Sequence, residues 1–248
     1  MQKTLRKVPE ITIVFWLLKL LSTAMGEATS DFLVLKINPY LAVFIGGICL
    51  AVALFIQFSV HRYIAWVYWL TVSMVAVFGT MAADGLHVQL GVPYILSTLF
   101  FGVILLIVFV WWQKSEKSLS IHSIKTKRRE IFYWATVMST FALGTAVGDM
   151  TATTFGLGYF SSAILFALIL ALIALAYWIF DLNEIFAFWL AYILTRPLGA
   201  SLSDWFSKSH IIGGLGLGDG HVSLLLSSAI ILIVIFITIK RRQLNIEN

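Results

Sequence analysis

The chain has 248 residues, of which 60% are hydrophobic and only 12% charged, with a formal net charge of +5. Soluble domains carry about 25% charged residues, so this composition excludes a soluble globular fold and points to an integral membrane protein. A lone cysteine, Cys49, excludes an internal disulfide. The basic excess does not indicate nucleic acid, because all Lys and Arg except Lys19 and Arg196 lie outside the apolar runs and follow membrane topology.

In chain order, apolar runs lie near 11–32, 39–60, 64–83, 92–112, 131–150, 157–180, 185–204 and 221–239. Each reaches the roughly 17–25 residues that cross a bilayer as a helix. The first run is too long for a cleaved signal and contains Lys19 and Glu27. The predicted fold is therefore all-α and polytopic, a single transmembrane domain over 1–248. It comprises eight transmembrane helices in four tandem, like-oriented helical hairpins, in a pseudo-fourfold or paired arrangement. The repeats span about 8–61, 62–113, 130–181 and 182–240, and a basic loop covers about 113–130.

Placing the N-terminus inside puts Lys3, Arg6, Lys7, Arg62, Lys114, Lys117, Lys125, Lys127, Arg128, Arg129, Lys240, Arg241 and Arg242 on the cytoplasmic side. Only Lys36 and Lys208 fall in the outer loops. That asymmetry follows the positive-inside rule, so both termini are expected in the cytoplasm.

The first, third, fifth and seventh runs carry one ungapped pattern. FWLLKLLSTAMGEATSD (15–31), YWLTVSMVAVFGTMAAD (68–84), YWATVMSTFALGTAVGD (133–149) and FWLAYILTRPLGASLSD (188–204) all fit [Phe/Tyr]-Trp-x9-Gly-x4-Asp. Four occurrences make this an internal repeat. Its signature residues are Trp16, Trp69, Trp134 and Trp189, then Gly26, Gly79, Gly144 and Gly199, then Asp31, Asp84, Asp149 and Asp204. Gly- or Pro-containing turns follow each aspartate, and an almost wholly apolar helix then returns across the membrane. The stretch GGLGLG (213–218) lacks the Lys-Ser/Thr of a P-loop and reads as a turn.

The chain resembles, over nearly its whole length, a bacterial membrane-protein family of four tandem two-helix repeats with a characteristic tryptophan, described as a repeat of unknown function. The resemblance rests on Trp16, Trp69, Trp134 and Trp189. It implies the architecture and a place in the bacterial inner (plasma) membrane, and it implies no substrate.

At 100° per residue, the tryptophan and the residues 4, 7, 11, 14 and 15 positions after it share one broad helix face. That face carries Glu27 and Asp31 in the first repeat, Thr80 and Asp84 in the second, Thr145 and Asp149 in the third, and Arg196 and Asp204 in the fourth. The patterned helices are therefore expected inside the bundle and the apolar ones outside. The tryptophans read as interface anchors or packing residues and the glycines as packing notches. An aspartate at a helix C-terminus opposes the dipole, which raises the case for a site. Glu27 falls near the membrane middle, where an unpartnered carboxylate costs several kcal/mol. Lys19 and Arg196 are the candidate charge partners. Glu27 and the four aspartates outnumber these two bases, so the spans hold a net negative charge that favours a cation.

Carboxylates with Ser and Thr hydroxyls are hard oxygen ligands, suited to Mg²⁺, Mn²⁺ or Ca²⁺. His61, His87, His122, His210 and His221 all map to turns or loops, which argues against a copper or structural zinc site. The expected function is a membrane transporter of a small cation, with a divalent metal such as Mn²⁺ or Mg²⁺ as the candidate cargo and proton coupling as the candidate drive. The cation-binding set is Glu27, Asp31, Asp84, Asp149, Asp204, Thr80 and Thr145, with Glu27 and Asp31 at its core and Thr23 and Ser30 in support. The alternatives are a passive channel, a membrane-embedded enzyme and a scaffold. No HExxH, GxSxG or nucleotide-binding loop supports an enzyme. The expected partners are the lipid bilayer and a small cation, with no nucleic acid and no cofactor other than a bound divalent cation. Reporter fusions at either terminus are predicted to report the cytoplasm; a periplasmic signal from either would overturn this topology.

Overall fold

The computed structural model describes residues 6–246. Among them are eight α-helices: α1 (Ile13–Lys36), α2 (Pro39–Ser59), α3 (Ala65–Asp84), α4 (Tyr94–Glu116), α5 (Lys127–Asp149), α6 (Gly158–Ile179), α7 (Glu184–Ser207) and α8 (Asp219–Ile246). Seven, all but α1, are long and apolar enough to cross a membrane. Helix α1 has comparable length but carries Lys19, Glu27, Asp31 and Lys36.

Local chemistry sets several starts. Thr12, Thr126 and Asn183 cap α1, α5 and α7 by accepting first-turn N–H groups, and Asn38 does the same for α2 ahead of Pro39. After Asp84 and Asp149 the helix continues as a π-turn, Gly85–Gln89 and Met150–Thr154, so α3 and α5 reach further than their apolar runs. The basic loop expected over about 113–130 is shorter, spanning 117–126 and including a 3₁₀ turn at Ile121–Ser123.

The four patterned helices form a closed circuit: α1 packs on α3, α3 on α5, α5 on α7, and α7 on α1. The apolar windows of α3, α5 and α7 are 72%, 72% and 61% buried, whereas those of α2, α4, α6 and α8 are only 22%, 22%, 17% and 17% buried. The patterned set therefore makes the core, and the plain set faces outward.

The hairpins differ from the sequence reading. Helix α2 packs chiefly on α3, α4 on α5, α6 on α7, and α8 returns to α1. Each plain helix thus leans on the patterned helix of the next repeat, which links the repeats in a cycle.

The motif glycine explains the circuit. A Cβ on Gly26 would fall on Ala76, and one on Gly79 would lie 2.7 Å from Phe141 Cβ. One on Gly144 would strike the Arg196 stem, and one on Gly199 would lie 2.7 Å from Thr23 Cβ. Ala76, Phe141, Arg196 and Thr23 all occupy the seventh position after their own tryptophans. Each glycine therefore receives the same position of the next patterned helix, and the fourth closes on the first.

This contact rotates each helix relative to the sequence-derived face. The residue before each tryptophan (Phe15, Tyr68, Tyr133 and Phe188) is buried, and so is the residue three after it (Lys19, Val72, Val137 and Tyr192). Leu20, Met138 and Ile193, placed inside by the sequence reading, are only partly buried. Seating the glycine against its neighbour moves the face centre away from the tryptophan. Trp69, Trp134 and Trp189 are buried as packing residues, not interface anchors, and Trp16 is half-buried.

Gly79→Ala or Gly199→Ala is predicted to destabilise the protein by about 1–3 kcal/mol through overpacking. Gly102→Ala should be neutral or stabilising, because its Cβ would meet only Leu143 Cδ1 at 3.9 Å. Thermal melting in detergent checks both; equal melting of all three variants would contradict the glycine contacts.

Candidate functional site

The circuit encloses three layers between its tryptophan end and its aspartate end. The first is aromatic. Phe15 and Phe188 lie with ring centroids 6.2 Å apart, Tyr68 stacks on Tyr133 at 6.4 Å, and the two tyrosine hydroxyls are hydrogen-bonded. Beneath it, Lys7 forms a buried ion pair with Glu130, whose other oxygen accepts from Gln57 Nε2 at 2.8 Å. Backbone bonds from Lys7 to Ile124 and from Tyr63 to Arg6 tie the segment before α1 across this end.

The middle layer is organised by Arg196. Its guanidinium is fully buried and donates through Nη2 to Glu27 Oε2 at 2.8 Å, to Thr145 Oγ1 at 2.6 Å and to Thr80 Oγ1. Nη1 donates to the Thr23 carbonyl at 3.0 Å. Thr80 also donates to Glu27 Oε2 at 3.3 Å. One side chain of α7 thereby bonds α1, α3 and α5. Glu27, Thr80 and Thr145, which the sequence groups in a cation site, do surround a cation, and that cation is the protein's own arginine.

Lys19 differs from the expected charge partner. It is buried, and its ammonium lies 4.0 Å from the Phe141 ring centroid and 4.2 Å from that of Tyr192. No acid pairs with it among the described residues; aromatic faces supply its electrostatic support. It sits one helical turn nearer the tryptophans than Thr23, too far along α1 to reach the acids.

The third layer holds the four repeat aspartates, which separate into two pairs. Asp84 and Asp149 face one another across His87, whose Nε2 lies 3.1 Å from Asp84 Oδ1 and 3.0 Å from Asp149 Oδ2. Asp31 and Asp204 share Lys208, which is ion-paired with Asp31 and lies 3.8 Å from Asp204 Oδ1 and 3.3 Å from Asp219 Oδ1. Burial works to lower the Lys208 pKa, but the carboxylates of Asp31 and Asp204 outweigh it and hold the ammonium above the ordinary lysine value.

Two groups of potential cation ligands result. Asp84, His87 and Asp149 bring ligand atoms within 4.8 Å of one another, and so do Glu27, Asp31 and Asp204. In the second group Asp204 Oδ1 has no hydrogen-bond partner, and neither do the buried hydroxyls of Ser30 and Ser203, one residue before the aspartates of α1 and α7. Lateral cavities of about 630 and 450 Å³ touch none of the repeat acids: one lies by Trp16, Tyr177 and Trp178, the other between α3 and α8.

Sequence reading missed three participants. His87 is not a loop residue: it lies in the π-turn after Asp84 with its side chain fully buried. Lys208 and Asp219 fall between the apolar runs by sequence, and in the structure Lys208 folds back onto Asp31 while Asp219 joins the cluster through Lys208. The spacing of His87 and Lys208, three and four residues after an aspartate, was the available signal.

Glu27→Gln is predicted to destabilise the chain by about 3–5 kcal/mol, because it leaves the buried guanidinium uncompensated. Pairing it with Arg196→Met should recover most of that loss. A Glu27→Gln variant that melts with the wild type would show that the pair contributes nothing to stability.

A family model described as Repeat of Unknown Function (DUF347) matches residues 14–63, 67–118, 132–182 and 187–243. No curated protein and no solved structure matches the chain.

Proposed function

The chain belongs to the Repeat of Unknown Function (DUF347) family, and we propose that it is a membrane transporter of a small cation. In this reading all eight helices span a bacterial inner membrane, in a pseudo-fourfold arrangement with both termini cytoplasmic. The thirteen basic residues assigned inside, against two outside, support that orientation. The tryptophan end then faces the cytoplasm, and the aspartates face outward.

One observation carries the reading: Glu27, Asp31 and Asp204 converge within 4.8 Å, and the hydroxyls of Ser30 and Ser203, each next in the chain to one of these aspartates, are buried without partners. Carboxylates and hydroxyls gathered in a low-dielectric interior favour positive charge. Lys208 already occupies that environment as a tethered ammonium and has Asp219 as a second resting place. An arriving cation would displace it toward Asp219.

The layer beneath favours a transporter over an open channel. The Arg196 guanidinium and the rings of Phe15, Tyr68, Tyr133 and Phe188 fill the centre of the bundle below the acids. A filter needs an unobstructed axis, whereas alternating access needs one end closed while the other is open.

Asp31→Asn and Asp204→Asn are expected to lower cation flux into proteoliposomes by roughly tenfold to a hundredfold, the effect of losing one charge-assisted interaction of about 1.5–3 kcal/mol. Flux is read with Mg²⁺, Mn²⁺ and proton indicators against empty liposomes. Wild-type rates in both variants would end the reading.

A further inference from the structure

We propose that Asp84, His87 and Asp149 form a binding site for a first-row transition-metal dication, the class that includes Mn²⁺, Fe²⁺, Co²⁺ and Zn²⁺. This goes beyond cation transport: it concerns the other pair of aspartates and names a chemical class that an all-oxygen chamber does not select.

The ligands come from three positions that the fold brings together. Asp84 ends α3, Asp149 ends α5, and the π-turn after Asp84 returns His87 to the same side, between them. His87 Nε2 stands 3.1 and 3.0 Å from one oxygen of each aspartate, and all three atoms lie within 4.8 Å of one another. Donors about 2.1 Å from a metal lie about 3.0 Å apart when they are neighbours in an octahedron. The two His87 distances match that spacing, and the group as a whole lies within the 4.8 Å that donors sharing one ion can span. A single Nε2–H can align on only one of the two oxygens, whereas a cation between the three atoms serves all of them.

The donor set fixes the class. Two carboxylates and one neutral imidazole balance a dication, and the imidazole shifts preference from Mg²⁺ and Ca²⁺ toward borderline metals. Access is also present. The His87 side chain is fully buried, but those of Asp84 and Asp149 are 18% and 17% exposed, which leaves room for water or a further ligand. The companion pair is different, because Lys208 brings an ammonium that cannot ligate a metal to Asp31 and Asp204. The two halves of the acid layer are thus chemically distinct.

The test uses the full-length protein, stripped of metal and held in nanodiscs, titrated with Mn²⁺ and followed by electron paramagnetic resonance. Wild type is expected to bind Mn²⁺, with a ¹⁴N coupling to the bound ion in pulsed spectra. His87→Gln should weaken binding by at least about tenfold, since even partners that only orient a ligand are worth 10–100-fold. His122→Gln, changed at the opposite end of the molecule, should bind as wild type. The nitrogen coupling is read on the unmodified chain, so its absence overturns the proposal whether or not the variant folds. Equal Mn²⁺ affinity in His87→Gln would overturn it too. Cation flux without Mn²⁺ binding would refute this site and leave the transport reading standing. Mn²⁺ held through His87 in a protein that moves no cation would do the reverse.

Discussion

The close seating of one glycine against the next patterned helix is the constraint on which the rest of the structure depends. Gly26, Gly79, Gly144 and Gly199 each lie where a side chain would collide with the seventh-position residue of the following repeat. In a bilayer, apolar helices gain little from burying apolar surface against one another, so close backbone approach and van der Waals contact carry much of their association. Repeating that contact four times closes the circuit and sets the rotation of each helix. Rotation decides which side chains meet at the centre: the aromatic residue before each tryptophan at one end, and paired aspartates at the other.

The repeats share a backbone arrangement and differ in chemistry. The seventh position holds Thr23, Ala76, Phe141 and Arg196, so a common packing rule delivers one guanidinium to the middle of the bundle. Gly144 makes room for its stem, and Glu27, Thr80 and Thr145 receive its head. A buried charge of this kind is stable only while its partners stay in place. It ties α7 to the other three patterned helices and leaves the aspartates above it facing two bases of unlike kind, His87 and Lys208. The acid layer is two-sided in consequence, with α3 and α5 on one side and α1 and α7 on the other. The proposed division of labour between an oxygen-lined cation chamber and a metal site follows from that asymmetry.

Much of this architecture was legible in the sequence. The spacing of Trp, Gly and Asp marked the four core helices, and the evenly apolar runs marked the outer ones, because burial in a membrane bundle requires polar groups to face inward. Arg196 and Glu27 could be placed at about one level from helical rise alone. Three things lay beyond such arithmetic. The rotation of the faces depends on which neighbour each glycine admits, a contact between repeats. The recruitment of His87 requires a π-turn that prolongs α3, and a turn reading of GLHVQ places it outside. Lys19 had acids of its own helix available on paper, yet it rests between Phe141 and Tyr192, because cyclic packing brings two other repeats to its level.

The most direct measurement of the central claim exchanges a methyl group across one glycine contact. Gly26→Ala and Ala76→Gly are made singly and together, and unfolding free energies are compared in a double-mutant cycle. A Cβ on Gly26 would fall on Ala76 Cβ and lie 2.8 Å from the Ala76 carbonyl carbon, so Ala76→Gly relieves the nearer contact and leaves the backbone one. The double variant should be more stable than Gly26→Ala alone but less stable than wild type, with a coupling of about 0.5–3 kcal/mol. Strict additivity of the two single changes would mean that this glycine does not receive the next helix, and the account of how the circuit closes would fail.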